Sequence, residues 1–487
     1  MLFNSYIFIY LFFPLTLLGY FSLNHMKLYK PALAFLVGMS LWFYGYNNIS
    51  YLAILVISIL TNYCIVTLMS RFQKKGKRKI CLIAGILLNI GILFYFKYYD
   101  FFILNINTAL RSELPLLHLV LPLGISFYTF QQLSYVIDAY RNECENYSFL
   151  EYAAYVSYFP QLIAGPIVYH SELIPQLRDT ANKNLNFQNL SRGLYIFTLG
   201  LAKKVLLADT LSKVVTVGYG NIPSLNTISV AMVMICYSLQ IYFDFSGYCD
   251  MACGMACMMN INLPINFNSP YKAQSVSEFW DRWHMTLTRF FTRYIYIPLG
   301  GSRNGKARTY LNVMIVFLVS GLWHGANWTF IIWGLIHGLL TVIEKIINIS
   351  SVKLPKFLKT IVTFGIVTLA WSLFRAPSMT DAALLWKQLF KGGPGPLYQP
   401  ITEKFQGLIE VRLLYRMGLG GLMNAYPWLI LSAFLIILLI GCFTMKNTQE
   451  KAETMRLSTG KLLIVVLLMT WSVLSLSEIS EFLYFNF

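Results

Sequence analysis

The stretch YLAILVISILTNYCIVTLMS, Tyr51 to Ser70, runs directly into RFQKKGKRK, Arg71 to Lys79. An uncharged run of this length spans the roughly 30 Å hydrocarbon core of a bilayer as a helix. The basic cluster behind it, Arg71, Lys74, Lys75, Lys77, Arg78 and Lys79 with no acid between them, belongs on the cytoplasmic face. The same alternation continues through the chain. Apolar runs cover approximately 2–23, 31–46, 51–70, 80–105, 115–136, 150–168, 192–218, 227–258, 309–325, 328–348, 358–375, 427–445 and 461–480. Pro, Gly and Asn interrupt several of them, so the reading is an all-α polytopic membrane protein, one integral domain over 1–487, with about eleven crossings and one or two re-entrant or interfacial helices.

Composition supports this and narrows the function. Of 487 residues, 57% are hydrophobic and only 12% charged, and the mean hydropathy is +0.57. That is too little charge to cover the surfaces of three soluble domains. Disordered, collagen-like and disulfide-scaffold classes are excluded. The net charge of +17, from 38 basic and 21 acidic side chains, gathers in the short gaps between apolar runs, so it implies a lipid bilayer and no nucleic acid. The eight cysteines form no C-x-x-C pair, and neither a zinc site nor any other metal site is indicated. Cys249, Cys253 and Cys257 share one helical face as small core residues.

Orientation follows from the basic gaps. Counting back over three crossings from the 71–79 loop places the N-terminus outside, with the run Leu2 to Leu23 read as a retained helix, not a signal peptide. Residues 271–308 carry Lys272, Arg282, Arg289, Arg293, Arg303, Lys306 and Arg308 against Glu278 and Asp281, and this segment also meets the cytoplasmic face, as does the Lys446 to Lys461 gap. Residues 376–426 are then an extracytoplasmic insertion, with an amphipathic piece around Ala382 to Phe390 and a turn at Gly392 to Pro396. It lies on the outer leaflet or receives a partner.

Ionisable groups inside apolar runs are costly and mark function. His324 stands in Ser320-Gly321-Leu322-Trp323-His324-Gly325-Ala326-Asn327-Trp328, where flanking glycines let the backbone approach a ligand and the imidazole suits general-base work. A satisfied histidine at a helix bend explains it equally well. A second polar segment opens with the capping pattern Ser275-Val276-Ser277-Glu278 and continues Phe279-Trp280-Asp281-Arg282-Trp283-His284. Read as one interfacial helix, it puts Trp280, Trp283, Leu287, Phe291 and Tyr294 on a stripe, His284 on the border, and Arg282, Arg289 and Arg293 opposite. Asp244, deep in the 227–258 run with Ser246 beside it, orients a histidine or pairs with an arginine between helices. With Trp323, Asn327 and Arg282, these two are candidates for lining a substrate channel. No H-x-x-x-x-D pair, G-x-S-x-G elbow, H-E-x-x-H or P-loop occurs, so metalloprotease and ATP-driven chemistry lack support.

These motifs, with Gly124-Ile125-Ser126-Phe127-Tyr128-Thr129-Phe130, Asp138-Ala139-Tyr140-Arg141, Tyr158-Phe159-Pro160-Gln161-Leu162-Ile163-Ala164-Gly165-Pro166, Tyr242-Phe243-Asp244-Phe245-Ser246-Gly247 and Tyr296-Ile297-Pro298-Leu299-Gly300-Gly301, resemble the membrane-bound O-acyltransferase family, in particular its bacterial alginate and peptidoglycan O-acetylation branch. The resemblance implies a ring of helices around a funnel, His324 as the catalytic histidine and His284 as its polar partner. Thr292-Arg293 departs from an Arg-Asp pair of many relatives. The tail Phe482-Leu483-Tyr484-Phe485-Asn486-Phe487 is similar to the aromatic tails of that branch, which makes Tyr484 a candidate acyl relay and 481–487 a segment of its own. An aromatic belt at the outer interface explains that tail as well.

The function implied is transfer of an acyl group, most readily acetyl, from a cytoplasmic thioester donor, acetyl-CoA or an acyl carrier protein, to hydroxyls of an extracytoplasmic polysaccharide. No tightly bound cofactor is implied. The cell membrane is the location, and a secreted or membrane-anchored acyltransferase or esterase-like protein is the expected partner. The alternatives are D-alanyl transfer to teichoic acid and a transporter or flippase without covalent chemistry. The absence of an internal repeat speaks against the last.

Overall fold

Asn48 opens the Tyr51–Ser70 span. Its side chain accepts from the Ser50 amide and starts the helix Ile49–Ser70, which at 1.5 Å per residue is about 33 Å long. The computed structural model describes residues 1–349, 353–455, 458–476 and 482–483, and among these all regular structure is helical. Among the described residues six helices are long and apolar enough to cross a membrane: Phe8–His25, Ile49–Ser70, Lys75–Leu110, Thr227–Met258, Trp328–Ile346 and Lys356–Arg375. A seventh crossing arises if Ile409–Ala425 and Leu429–Thr444, bent by 100°, form one broken span. The further crossings expected from the apolar runs fall on helices that are shorter or more polar, such as Tyr29–Gly45 and Thr459–Leu474.

Two expected runs are broken for visible reasons. In 115–136 the helix starts only at Ile125. Gly124 precedes it at φ +71°, and a Cβ there would meet the Leu162 carbonyl oxygen at 2.8 Å, so only glycine allows this close approach. In 150–168 the helix Phe149–Ser157, opened by a Ser148/Glu151 capping box, stops at Tyr158, and the chain turns through Phe159–Leu162. Tyr158, Phe159 and Pro160 are buried, and Gln161 Nε2 donates to the Tyr155 carbonyl at 2.7 Å. Irregular backbone is tolerated at membrane depth when protein covers it.

The described chain divides into two compact units. The first takes Met1–Leu201, Tyr248–Ile265 and the described part of Ala452–Asn486. Inside it, Asn62, Asn89, Gln132 and Ser58 join three helices through buried side-chain hydrogen bonds, among them Asn62 Nδ2 to Gln132 Oε1 and Asn89 Nδ2 to Asn62 Oδ1, both 2.6 Å. His170 is held there at both ring nitrogens, by the Tyr147 hydroxyl at 3.0 Å and the Asp138 carboxylate at 3.2 Å. The Cys249/Cys253/Cys257 face lies partly against this unit's helices, where Cys253 packs with Ile196 and Ala452.

The second unit takes Ala202–Gly247 and Asn266–Lys451. Its helices Gly305–His324 and Trp328–Ile346 are its closest-packed pair. A Cβ on Gly321 would meet the Phe330 carbonyl oxygen at 2.4 Å, and one on Gly334 would meet that of Phe317 at 2.4 Å. The glycine beside His324 thus lets two helices touch backbone to backbone, as small residues do at membrane helix interfaces. This corrects the expectation that Gly321 makes room for a ligand.

Candidate active site

All the residues of the site belong to the second unit. His324 is the last residue of Gly305–His324 and is buried. Its imidazole is walled by Trp323, Trp333 and Phe374, with ring centres 4.8, 5.2 and 5.1 Å away. His284 lies next to it, 6.4 Å between ring centres, and Trp323 touches both, 6.0 Å from His284.

His284 is not on the border of a continuous amphipathic helix. The helix Val276–Arg282 ends, Trp283 is extended, His284 takes the left-handed conformation at φ 47°, ψ 47°, and a new helix runs Met285–Phe291. The stripe from Trp280 to Tyr294 is therefore cut in the middle. The cause is tertiary. Phe267 and Trp283 form an antiparallel bridge, the Asn268 amide donates to the Arg282 carbonyl at 2.9 Å, and the Met285 amide donates to the Asn266 carbonyl at 3.1 Å. A non-glycine residue in this backbone region is strained, and such strain collects at functional sites.

The same strand of residues sets the tautomer of His284. Asn266 Oδ1 accepts from the Thr286 amide at 3.2 Å and hydroxyl at 2.9 Å, and lies 3.1 Å from His284 Nδ1. A carbonyl oxygen only accepts, so Nδ1 carries the proton and Nε2 is left as the acceptor. Burial pushes the His284 imidazole down to about 3, so it is neutral at ordinary pH.

The other candidates fall at graded distances from this pair. Phe245 packs edge-on against His284 at 4.8 Å, which brings the Asp244–Ser246 turn of helix Thr227–Met258 alongside. Asp244 pairs with a lysine: its carboxylate lies 2.7 Å from Lys204 Nζ, which also reaches Asp209 at 2.8 Å. Lys204 sits in the widened turn Lys203–Ala208, and widened turns of this kind recur at functional sites. Ser246 Oγ and the indole N–H groups of Trp283 and Trp333 are buried with no hydrogen-bond partner among the described residues, groups a polar ligand would satisfy. Arg282 turns away, to Glu278 at 2.9 Å and the Asn268 carbonyl at 3.2 Å. Asn327 caps helix Trp328–Ile346 and donates to the Pro377 carbonyl at 3.1 Å. Tyr484 lies outside the described residues; of its tail, Phe482 stacks on Tyr248 at 4.8 Å in the first unit.

Sequence reasoning missed Asn266, Lys204, Trp333, Phe374 and His337. His337 Nδ1 accepts from the Trp280 indole at 3.2 Å, and its ring stands 4.9 Å from Trp333. Only His337 carried a signal, an imidazole inside an apolar run. Among the described residues no cluster of three or more His, Cys, Asp or Glu side chains could hold a metal ion.

Two neighbouring buried imidazoles, one with its tautomer fixed, in a helical membrane protein define a site suited to proton transfer during group transfer. Comparison with known proteins gives the family. The profile of the membrane-bound O-acyltransferase family matches residues 39–357, which include both histidines. A peptidoglycan O-acetyltransferase of Helicobacter pylori is 40% identical, with 100% of this chain and 98% of that protein covered. A probable alginate O-acetylase of Pseudomonas aeruginosa is 34% identical over 84% of this chain and 78% of its own. A teichoic acid D-alanyltransferase of Streptococcus thermophilus is 26% identical over 52% of this chain and 68% of its own. The chain belongs to the membrane-bound O-acyltransferase family and is an O-acyltransferase.

Proposed function

We propose that this enzyme moves an acetyl group from a cytoplasmic thioester to hydroxyls of an extracytoplasmic polysaccharide, with His324 as general base. The observation that carries the reading is the placement of His324 against a second buried imidazole within the matched region. His324 takes the proton of the acceptor hydroxyl as its oxygen bonds to the thioester carbonyl carbon. The C–S bond then breaks, and the leaving thiolate takes the proton back from His324. Thioesters are already activated, so alignment and one well-placed base suffice.

In this reading His284 offers its Nε2 lone pair to orient a proton donor near His324, and Asp244 and Ser246 line the approach to the pair. The relatives at 40% and 34% identity are named for O-acetylation, against 26% for the D-alanyltransferase, which favours acetyl over D-alanyl. Tyr484 is proposed as a first acyl acceptor on the likeness of the tail. Final transfer then requires a secreted or membrane-anchored partner, and the enzyme sits in the cytoplasmic membrane with its N-terminus outside. The test is chemical identification of the group on polymer purified from cells carrying the wild-type chain or His324→Ala. Acetyl present with the first and lost with the second is expected; unchanged acetylation with His324→Ala, or D-alanyl in its place, overturns the reading.

A further inference from the structure

The helix that delivers His284 is short. Val276–Arg282 has seven residues, about 10 Å of length, and a helix of that length depends on outside contacts for its place. Ser275 caps it locally, its Oγ accepting from the Glu278 amide at 3.0 Å. The two amides before that one are met from far along the chain. The Val276 amide donates to Glu344 Oε1 at 2.6 Å, and the Ser277 amide and hydroxyl both donate to Glu344 Oε2 at 2.8 Å. A single carboxylate thus closes the N-terminus of the helix, where negative charge is favoured. One turn on, the Trp280 indole N–H donates to His337 Nδ1 at 3.2 Å.

Glu344 and His337 belong to Trp328–Ile346, the helix that begins four residues after His324. They stand seven residues apart and share one face, which Trp333 continues one turn nearer the start. The Trp333 ring lies 5.5 Å from that of Trp280 and 5.2 Å from that of His324. Trp283 and His284 follow Arg282 directly, so the element carrying one imidazole is joined to the element that follows the other. The Trp280–His337 bond is buried on both sides, and losing its acceptor leaves a buried N–H unpaired. An indole N–H only donates, so Nδ1 is the unprotonated nitrogen of His337.

We propose that Glu344 and His337 are positioning residues of acyl transfer, which together set where His284 stands relative to His324. The proposal rests on the reading of the two histidines as the site of proton transfer and extends it to the next helix. A misplacement of about 1 Å costs up to about a hundredfold in rate. Loosening either hold therefore lowers kcat and leaves KM for the thioester alone.

The test is transfer of labelled acetyl from a thioester by the full chain in proteoliposomes, with kcat and KM measured separately and melting in detergent followed alongside. Glu344→Ala and Trp280→Phe should each lower kcat about tenfold or more, with KM within about twofold. Glu344→Gln keeps a neutral acceptor and should lose less. His337→Ala should match Trp280→Phe, whereas His337→Asn, which places an acceptor near the Nδ1 position, should stay within about threefold of the wild type. In a His284→Ala background, Glu344→Ala and Trp280→Phe should cost no further rate, because the holds act through His284; a general loss of structure would add to it. Unchanged kcat in both Glu344→Ala and Trp280→Phe, losses that appear in KM, or losses that add fully to that of His284→Ala overturn the proposal. Trp280→Phe and Glu344→Gln, close to the native side chains in size, decide the matter where an alanine variant does not insert. The two readings fail separately: transfer that survives His324→Ala removes the catalytic one, and transfer that needs both histidines yet is indifferent to Glu344 and Trp280 removes this one.

Discussion

His170 and His324 are both buried imidazoles, one in each unit, and burial alone does not tell them apart. Their neighbours do. His170 is clamped between a carboxylate and a phenol, which tie helix Ile125–Arg141 and the Tyr147 loop to helix His170–Arg178. His324 is framed by three aromatic rings and a second imidazole whose proton is fixed on one nitrogen by Asn266. The first arrangement is a cross-link, and the second is the one proposed here to move a proton. Exchanging the roles by mutation gives the largest contrast: His324→Ala should lower transfer about a hundredfold or more while leaving the melting temperature in detergent nearly unchanged. His170→Ala should lower the melting temperature clearly, since it opens a cavity and removes a buried hydrogen-bond partner of both Asp138 and Tyr147, yet keep the activity of the protein that remains folded. The opposite pattern would reverse the assignment.

A smaller effect sharpens the comparison within the active site. Asn266→Ala releases the His284 tautomer and should slow transfer by roughly ten- to a hundredfold, the range seen when partners that orient histidines are removed. Asn266→Asp keeps an acceptor opposite Nδ1 and should recover part of the loss. Equal losses in the two variants would mean that Asn266 serves packing alone.

Acid should produce the smallest change. The His284 imidazole is held at about 3 against an ordinary 6.5, so between these values the unfolded chain binds the extra proton and the folded chain does not. Stability is therefore complete above pH 6.5 and declines as pH falls, by at most about 1.4 kcal/mol per pH unit from this group. Melting curves in detergent between pH 7 and 4 should show that slope, and His284→Asn should flatten it. An identical slope in the variant would contradict the burial effect.

Much of this was legible in the sequence because lipid imposes simple rules. Runs such as Tyr51–Ser70 announce themselves, and His324 stands out where so few polar groups interrupt apolar sequence. What was not legible depends on contacts far apart in the chain. The helical period carries the Trp280–Tyr294 stripe straight through His284, and only Asn266 and Phe267, eighteen and sixteen residues upstream of His284 and Trp283, show why the backbone reverses hand there. The sequence offers Asp244 a histidine to orient or an arginine to pair with; the lysine it meets comes from a widened turn forty residues earlier, a contact no local spacing announces. The Gly321 pattern resembles a ligand approach until the Phe330 carbonyl is seen to fill it.

The central claim is that this bundle performs covalent acyl transfer at His324 and does not merely pass a solute. Purified protein in proteoliposomes, given a thioester with a labelled acetyl group, tests it most directly. Transfer of label from the thioester to protein or added acceptor is expected, lost in His324→Ala although the variant inserts and melts as the wild type does. Substrate flux with no acyl exchange, persisting in His324→Ala, would contradict it.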